Sequence, residues 1–323
     1  DTAGRLAGTT GLAPFTVDPN FTNATTQSWN VNVQTEVLRN VAVMVGYFGS
    51  RGSQLRITRN LNQPTNGVRP FSSLSPSSPI LPGTPLGNIM QIESSGRSSY
   101  RGLWASLRGR VADAFSITAS YTLASSHDYN SLNNQGVVVQ NSYDLPGDWG
   151  PSDYDVRHRA VATAVYQLPF KGTPLVEGWQ IALIVQAQSG SPVNIVTSSS
   201  VLNGIANTVR PDVTGPLTTI GSVQRWFDTA PFVAANHFGN LHRNAVVGPR
   251  FDNTDLSVSK MTSLQRTRVE LRVDVFNVFN HPNFGQPGNI VGSRNFGVIT
   301  NTRFPTGELG SSRQIQCSAR ITL

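Results

Sequence analysis

The sequence predicts an all-β chain, an antiparallel transmembrane β-barrel segment, and three observations carry that expectation. Apolar and polar residues alternate with period two over stretches of about ten residues, the length a tilted strand needs to cross a bilayer. The connections between these stretches are alternately short and long, the arrangement of outer-membrane barrels with short periplasmic turns and long extracellular loops. Helical periodicity is almost absent.

Taken in order, the first strand is expected over Asn30 to Val37, with Val31, Val33, Thr35 and Val37 on one face and Asn32, Gln34 and Glu36 on the other. The short turn Leu38-Arg39-Asn40 leads into Val41 to Ser50, where Val41, Val43, Val45 and Tyr47 alternate with small residues. Arg51 to Ser98, rich in Pro, Ser, Asn and Gly, reads as a long loop. Leu103, Ala105 and Leu107 then face away from Ser106, Arg108 and Arg110, and the tight turn Ala112-Asp113-Ala114 returns the chain through Phe115, Ile117, Ala119, Tyr121 and Leu123. A second long loop, Ser125 to Tyr154, precedes a strand from Arg157 to Leu168 that lines up Ala160, Ala162, Ala164 and Tyr166. Pro169, Gly172 and Pro174 mark a turn before Trp179, Ile181, Leu183, Val185 and Ala187. After the longest connection, Ser189 to Asn253, come a shorter strand at Asp255 to Lys260, a turn at Thr262 to Arg266, and Val269, Leu271, Val273 and Val275 opposite Arg268, Glu270, Arg272 and Asp274. The last loop ends at Ser312, and Ile315, Cys317, Ala319, Ile321 and Leu323 alternate with Gln314, Gln316, Ser318, Arg320 and Thr322. Nine strands result. Since bacterial single-chain barrels have an even number and an open edge in lipid leaves backbone groups unsatisfied, the expectation is a curved, open sheet that belongs to a larger barrel with strands upstream of Asp1.

Composition agrees with strands and polar loops. Only 13% of residues are charged, while 15 Phe, 7 Tyr and 5 Trp set the chain apart from a disordered one. The net charge of +7 comes almost wholly from Arg, since Lys occurs only at Lys171 and Lys260. Arg97, Arg101, Arg108, Arg110 and Arg157 stand singly with no basic stripe or motif, which disfavours nucleic acid and suits a solvated surface or a channel wall. Trp29, Tyr47, Tyr100, Phe115, Tyr166 and Trp179, near strand ends, are candidates for the interfacial girdles. The single Cys317 excludes an internal disulfide and falls on the apolar face of the last strand.

Several short segments are similar to TonB-dependent outer-membrane receptors, in particular the Oar-like group that often carries an N-terminal carboxypeptidase-regulatory-like domain. They include Thr26-Gln27-Ser28-Trp29-Asn30, Val45-Gly46-Tyr47-Phe48-Gly49-Ser50-Arg51-Gly52, Asp155-Val156-Arg157-His158-Arg159 and Gln188-Ser189-Gly190-Ser191-Pro192. The closing part resembles the family most specifically, through Phe251-Asp252-Asn253-Thr254-Asp255-Leu256-Ser257 and Phe276-Asn277-Val278-Phe279-Asn280-His281-Pro282-Asn283-Phe284-Gly285. The resemblance runs from Pro19 to Leu323 and implies that residues 1–323 are the C-terminal part of a 22-stranded barrel in the bacterial outer membrane. It further implies import of a nutrient, a saccharide or peptide too large for porin diffusion, driven by the TonB system through a plug domain that this sequence lacks. The chain alone is then not transport-competent. Family members commonly end in Phe, where this chain has Leu323.

No catalytic or cofactor-binding set is expected. His127, His158, His237, His242 and His281 lack metal-ligand spacing, and Asp128, Asp148, Asp153 and Asp155 lack the spacing of a calcium loop. Arg268, Glu270, Arg272, Asp274 and Arg320 are expected to face the lumen and pair across neighbouring strands, because a mid-bilayer cation costs about 2–4 kcal/mol. Trp226, Phe227, Phe232, His237 and Phe238, in the longest loop, are the candidate ligand contacts. A passive porin or adhesin barrel and a secreted all-β enzyme or binding protein stay open as alternatives. The first would lack an upstream plug, and the second would be soluble without detergent.

Overall fold

The computed structural model describes residues 11–79, 81–112, 114–131, 139–264, 267–303 and 312–322. Asp113, Gln265, Arg266 and Leu323, placed above in turns and in the last strand, lie outside the described residues. Nine long strands follow one another: β1 (Thr25–Leu38), β2 (Val41–Asn60), β3 (Met90–Val111), β4 (Phe115–Asp128), β5 (His158–Gln167), β6 (Trp179–Gln188), β7 (Phe251–Leu264), β8 (Thr267–Phe276) and β9 (Gln314–Thr322). Each pairs with its sequence neighbour, all antiparallel, so the sheet is a meander with β1 and β9 as its edges. A short strand, Phe15–Val17, runs parallel to the start of β3.

Register shows why these residues form this sheet. Across the meander Val33 faces Val45, Val45 faces Ala105, Ala105 faces Tyr121 and Tyr121 faces Ala160. The same row continues through Ala160–Ala187, and four residues lower on β6 Leu183–Leu256, Leu256–Val275 and Val275–Ile315 carry the apolar face to the far edge. One face is therefore predominantly apolar through the middle of the sheet. The opposite face carries Asn32, Ser106, Ser120, Gln186, Asp274 and Gln316. A one-residue slip in any strand would invert its set, so the alternation fixes the register.

Val31, Leu103, Leu271, Ile315 and Ile321 on the apolar face are each more than half exposed. A contiguous apolar face this broad far exceeds the few hundred Å² a soluble protein leaves open. Hydrocarbon is the solvent that suits it. On β3 the belt runs from Leu103 to Val111, bounded above by Arg101, whose partner row is Gly49 and Ser125. That span matches an apolar band about 25 Å tall.

The short turns lie at one end and the long connections at the other. Asn40 closes the β1–β2 turn with a positive φ of 62°, a conformation Asn tolerates, and its N–H donates to Glu36 Oε1 at 2.8 Å. At the long end β2 and β3 overrun the belt. The stretch from Arg51 to Ser98, expected as loop, keeps strand pairing out to Asn60–Met90, while β4 continues to Asp128 and β7 begins at Phe251. Register shifts between Gly52 and Leu55 and between Leu55 and Ile57 break the two-residue period there, and polar residues on both faces hide the strand from pattern reading.

Tyr100 is a further correction. It sits opposite Ser50 and Ser126, on the polar face, and its ring packs against Phe48 at 5.8 Å. Trp29, Tyr47, Phe115, Tyr166 and Trp179 do share the apolar face, with Phe115 and Tyr166 edge to face at 6.2 Å. Trp29 lies flat over its partner Gly49, where any Cβ would meet the indole at 2.4 Å.

Lys260 falls on the apolar face, opposite Leu271 and Trp179. It is near the short-turn end, and its ammonium leaves the hydrocarbon by donating to Pro174 O at 2.6 Å and to Glu177 O, with the Trp179 ring 5.9 Å away. This is snorkelling, and it staples the 168–178 turn to the sheet.

Candidate functional site

Among the described residues, the buried apolar clusters sit above the sheet, within the long connections. Val193, Ile195, Phe227, Phe232, Leu241 and Val246 form one cluster, with Trp226 and Phe296 against it. Phe227, Phe232 and Phe296 meet edge to face at 5.4–5.6 Å. A second cluster pairs Ile57 of the β2 overhang with Val139. The long loops thus fold into a cap seated on the overhanging strands.

Polar contacts lock the cap. Arg243, in the 189–250 connection, donates to Asp128 Oδ1 at 2.6 Å, to Asp128 O at 2.9 Å, to Ser131 Oγ at 2.9 Å and to Asp153 Oδ1 at 3.0 Å. Asn244 adds Nδ2 bonds to Asp153 and to Pro151 O, both 2.7 Å. Arg210 pairs with Asp148 and donates to Leu241 O at 2.8 Å and Gly147 O at 3.0 Å. Gln140 bridges the same pair, its N–H donating to Asp148 and its Oε1 accepting from the Arg210 N–H. Burial pushes the Asp148 carboxyl above its ordinary value, and the Arg210 guanidinium opposes that push without cancelling it. Asp155 accepts the Ser126 N–H at 2.7 Å. Of the four aspartates weighed above, Asp128 and Asp155 fasten loops to β4, and Asp148 and Asp153 fasten the loops to one another.

A third set of contacts ties the β2–β3 connection in. Asn60 Nδ2 donates to Asn88 Oδ1 at 3.0 Å and to Asn203 O at 2.9 Å, while Asn62 Nδ2 bonds Phe71 O and Gly87 O. Arg59 and Glu93 bridge the overhang at 2.6 Å. Arg303 lies 5.0 Å over the Phe251 ring at the head of β7.

The candidate ligand contacts separate. Phe227 and Phe232, expected as candidate ligand contacts, are 2% and 6% exposed and belong to the cap's core: rings this apolar build the cluster that lets a long loop fold. His237 is exposed and pairs with Asp212 at 2.9 Å, and Phe238 is half-buried nearby in sequence. Trp226 donates its indole N–H to Val247 O at 2.9 Å and lines an open groove with Tyr121 and His158, on the apolar side of the sheet.

The wall residues keep to the polar face. Glu270 stands opposite Arg320, and Arg268 opposite Thr322. Arg272 departs from the expected cross-strand pairing. It bonds Asp274 of its own strand at 2.8 Å, because residues two apart on a strand share a face. Sequence reasoning missed Arg210 and Arg243. Both are isolated basic residues in a loop, and only their apolar neighbours Val209 and Leu241 hint at burial.

The chain matches the model of the outer membrane beta barrel domain family over residues 1–316. No curated protein matches it in sequence. Among solved structures it is similar to the outer membrane transporter YddB from Escherichia coli, with a TM-score of 0.54 at 12% identity, covering 93% of this chain and 33% of that one. The FrpB iron transporter from Neisseria meningitidis aligns with a TM-score of 0.46 at 11% identity, over 95% of this chain and 32% of its own. The pyoverdine outer membrane receptor FpvA from Pseudomonas aeruginosa gives 0.44 at 12%, over 92% and 29%. This chain spans about a third of the length of the structures it matches.

Proposed function

Because the chain belongs to the outer membrane beta barrel domain family and resides in the bacterial outer membrane, we propose that it is the C-terminal wall and extracellular cap of a TonB-dependent receptor of the Oar-like group, with residues 1–323 forming barrel and the plug lying outside them. In this reading the parent binds a nutrient, a saccharide or peptide, and imports it with energy from the TonB system. The observation that carries the proposal is the folded cap: long loops fastened by Arg243 to the end of β4, by Arg210 to the connection that follows it, and by Asn60 to the overhanging β2–β3 hairpin suit selective capture better than an open diffusion pore. The fold shared with an outer-membrane transporter supports it, and so does the polar wall of Arg268, Glu270, Arg272, Asp274 and Arg320 opposite the lipid face. No step of this function asks the chain for catalysis or a cofactor.

An antibody to the 189–250 loop, applied to fractionated native cells, tests the proposal. An outer-membrane band far heavier than 34.9 kDa that photocrosslinks to TonB is the expected result. An outer-membrane band of about this mass with no TonB adduct would replace the receptor by a passive barrel.

A further inference from the structure

The polar, lumen-side face of the sheet carries a trough beneath the cap, and two rows of residues cross it. The upper row runs Phe48, Gly102, Ala124 and Arg157, the last placed by the Ala124 N–H donating to Arg157 O at 3.0 Å. The row below runs Gly46, Trp104, Thr122, Arg159 and Gln188. Small residues floor the middle, aromatic rings on β2 and β3 bound one side, and two arginines at the head of β5 bound the other. Neighbouring strands are about 4.8 Å apart, so Trp104 and Arg159 stand about 10 Å from each other across Thr122. Asp128, where Arg243 fastens the cap, is on the same face of β4 four residues beyond Ala124.

The rings lie low on the wall. A Cβ at Gly46 would meet the Trp104 indole at 2.6 Å, and one at Gly102 would meet the Tyr100 hydroxyl at 2.8 Å, so each glycine lets a ring settle onto the backbone. Phe48 packs against Tyr100, and all three rings are half-buried, open on their lumen side. The arginines opposite are exposed. Among the described residues neither the Arg157 nor the Arg159 side chain has an ion-pair or hydrogen-bond partner. The acids above them are engaged: Asp128 and Asp153 by Arg243, Asp155 by the Ser126 N–H. Glu36, at the short-turn end of the same face, accepts the Asn40 N–H. One side of the trough is thus aromatic and the other cationic.

We infer that this trough holds an acidic oligosaccharide, with a pyranose ring stacked on Trp104 and its carboxylates at Arg159 and Arg157. The inference rests on the receptor reading above and names the class of nutrient. The negative face of an indole draws the C–H face of a sugar ring. A guanidinium takes a carboxylate in two parallel bonds. Residues two apart on a strand share a face about 7 Å apart, so Arg157 and Arg159 offer one chain two carboxylate sites. Thr122, the Tyr100 hydroxyl and Asn32, whose Oδ1 also lies over Gly46, supply donors and acceptors for sugar hydroxyls. An acidic peptide would use the arginines and leave the ring platform without a flat partner.

Isothermal titration of the detergent-purified full-length parent with a galacturonic acid trimer, the uncharged galactose trimer and triglutamate tests this. The uronate trimer is expected to bind about tenfold more tightly than either of the others. Arg159→Gln should remove that preference and leave the galactose trimer unchanged, whereas Trp104→Ala should weaken both sugars. Arg108→Gln, lower on the same face opposite Ala42 and Thr118, should bind as wild type. Equal affinity for the uronate and galactose trimers overturns the inference, and so does an equal loss in Arg108→Gln and Arg159→Gln. Triglutamate binding as tightly as the uronate trimer would make the occupant an acidic peptide instead. Binding to the purified protein needs no TonB, so the two readings fail separately. A parent that crosslinks to TonB without any uronate preference sinks this inference alone, and one that binds the trimer without a TonB adduct sinks the receptor reading alone.

Discussion

Arg243→Ala is the perturbation with the most calculable outcome. The Arg243 and Asp128 side chains are 6% and 3% exposed, so truncation leaves a carboxylate buried at the head of β4. Breaking such a pair costs about 3–5 kcal/mol. Two contacts soften the loss: Ser131 Oγ still donates to Asp128, at 2.8 and 3.0 Å, and Asn244 still holds Asp153 at 2.7 Å. The expected cost is therefore about 3 kcal/mol, which raises the opened population of the cap about a hundredfold. Protease added to intact cells reads that population when opening is fast relative to cleavage. Cleavage within 189–250 should accelerate by that factor while the barrel stays heat-modifiable on gels. Arg225→Ala, which removes an exposed pair with Asp228, should change the rate less than fivefold. Arg243→Met combined with Asp128→Asn should recover much of the loss, since no buried carboxylate is then stranded and the 39% exposed Asp153 keeps Asn244. Cleavage by Arg243→Ala at the wild-type rate would refute the idea that this pair locks the loops to the barrel.

Other expectations follow from the same geometry. Ala162→Arg, in the middle of the apolar face, should cost about 2–4 kcal/mol in urea unfolding from lipid vesicles, whereas Ser120→Arg on the polar face should cost under 1 kcal/mol. Lys260→Ala frees the carbonyls of Pro174 and Glu177 and should loosen the 168–178 turn by about 1–3 kcal/mol, seen as faster hydrogen exchange confined to that turn. Gly178→Ala should destabilise more, because φ is 79° and the added Cβ would meet Met261 O at 2.2 Å; unchanged folding yield would sink that claim. Burial raises Asp148 above its ordinary 3.8, so the folded cap binds that proton more tightly than the unfolded chain. Its stabilising contribution is complete below the unfolded value and is lost as pH rises through the raised one. Wild type and Asp148→Asn should differ in that pH dependence when cap protection is measured between pH 3 and 8, and parallel curves would contradict it.

The belt was legible in the sequence and the cap was not, for physical reasons. Ala119, Tyr121 and Leu123 alternate with Thr118, Ser120 and Thr122 because lipid and lumen impose opposite demands on successive residues, and that demand writes a period of two into the chain. Above the belt both faces of β2 and β3 meet water or loop, so residues 51–60 carry no such pattern, and two register shifts scramble what remains. Loop length marked 189–250 as important, but pattern alone cannot tell a ring that packs inward, such as Phe227, from one that faces outward. The pairing of Arg243 with Asp128 joins residues 115 apart in sequence, and nothing local encodes it. Trp226 was singled out for loop position, and its groove faces the membrane side of the sheet instead of the lumen.

The account stands on one face of this sheet meeting lipid and the other meeting water. Spin labels placed one at a time from Ser116 to Leu123, in a Cys317→Ser background and in native outer membranes, test that directly. The account predicts that labels at Ile117, Ala119, Tyr121 and Leu123 collide with oxygen dissolved in the bilayer, while those at Ser116, Thr118, Ser120 and Thr122 collide with a water-soluble nickel chelate. Accessibility without a two-residue period, or nickel contact at every position, would contradict it.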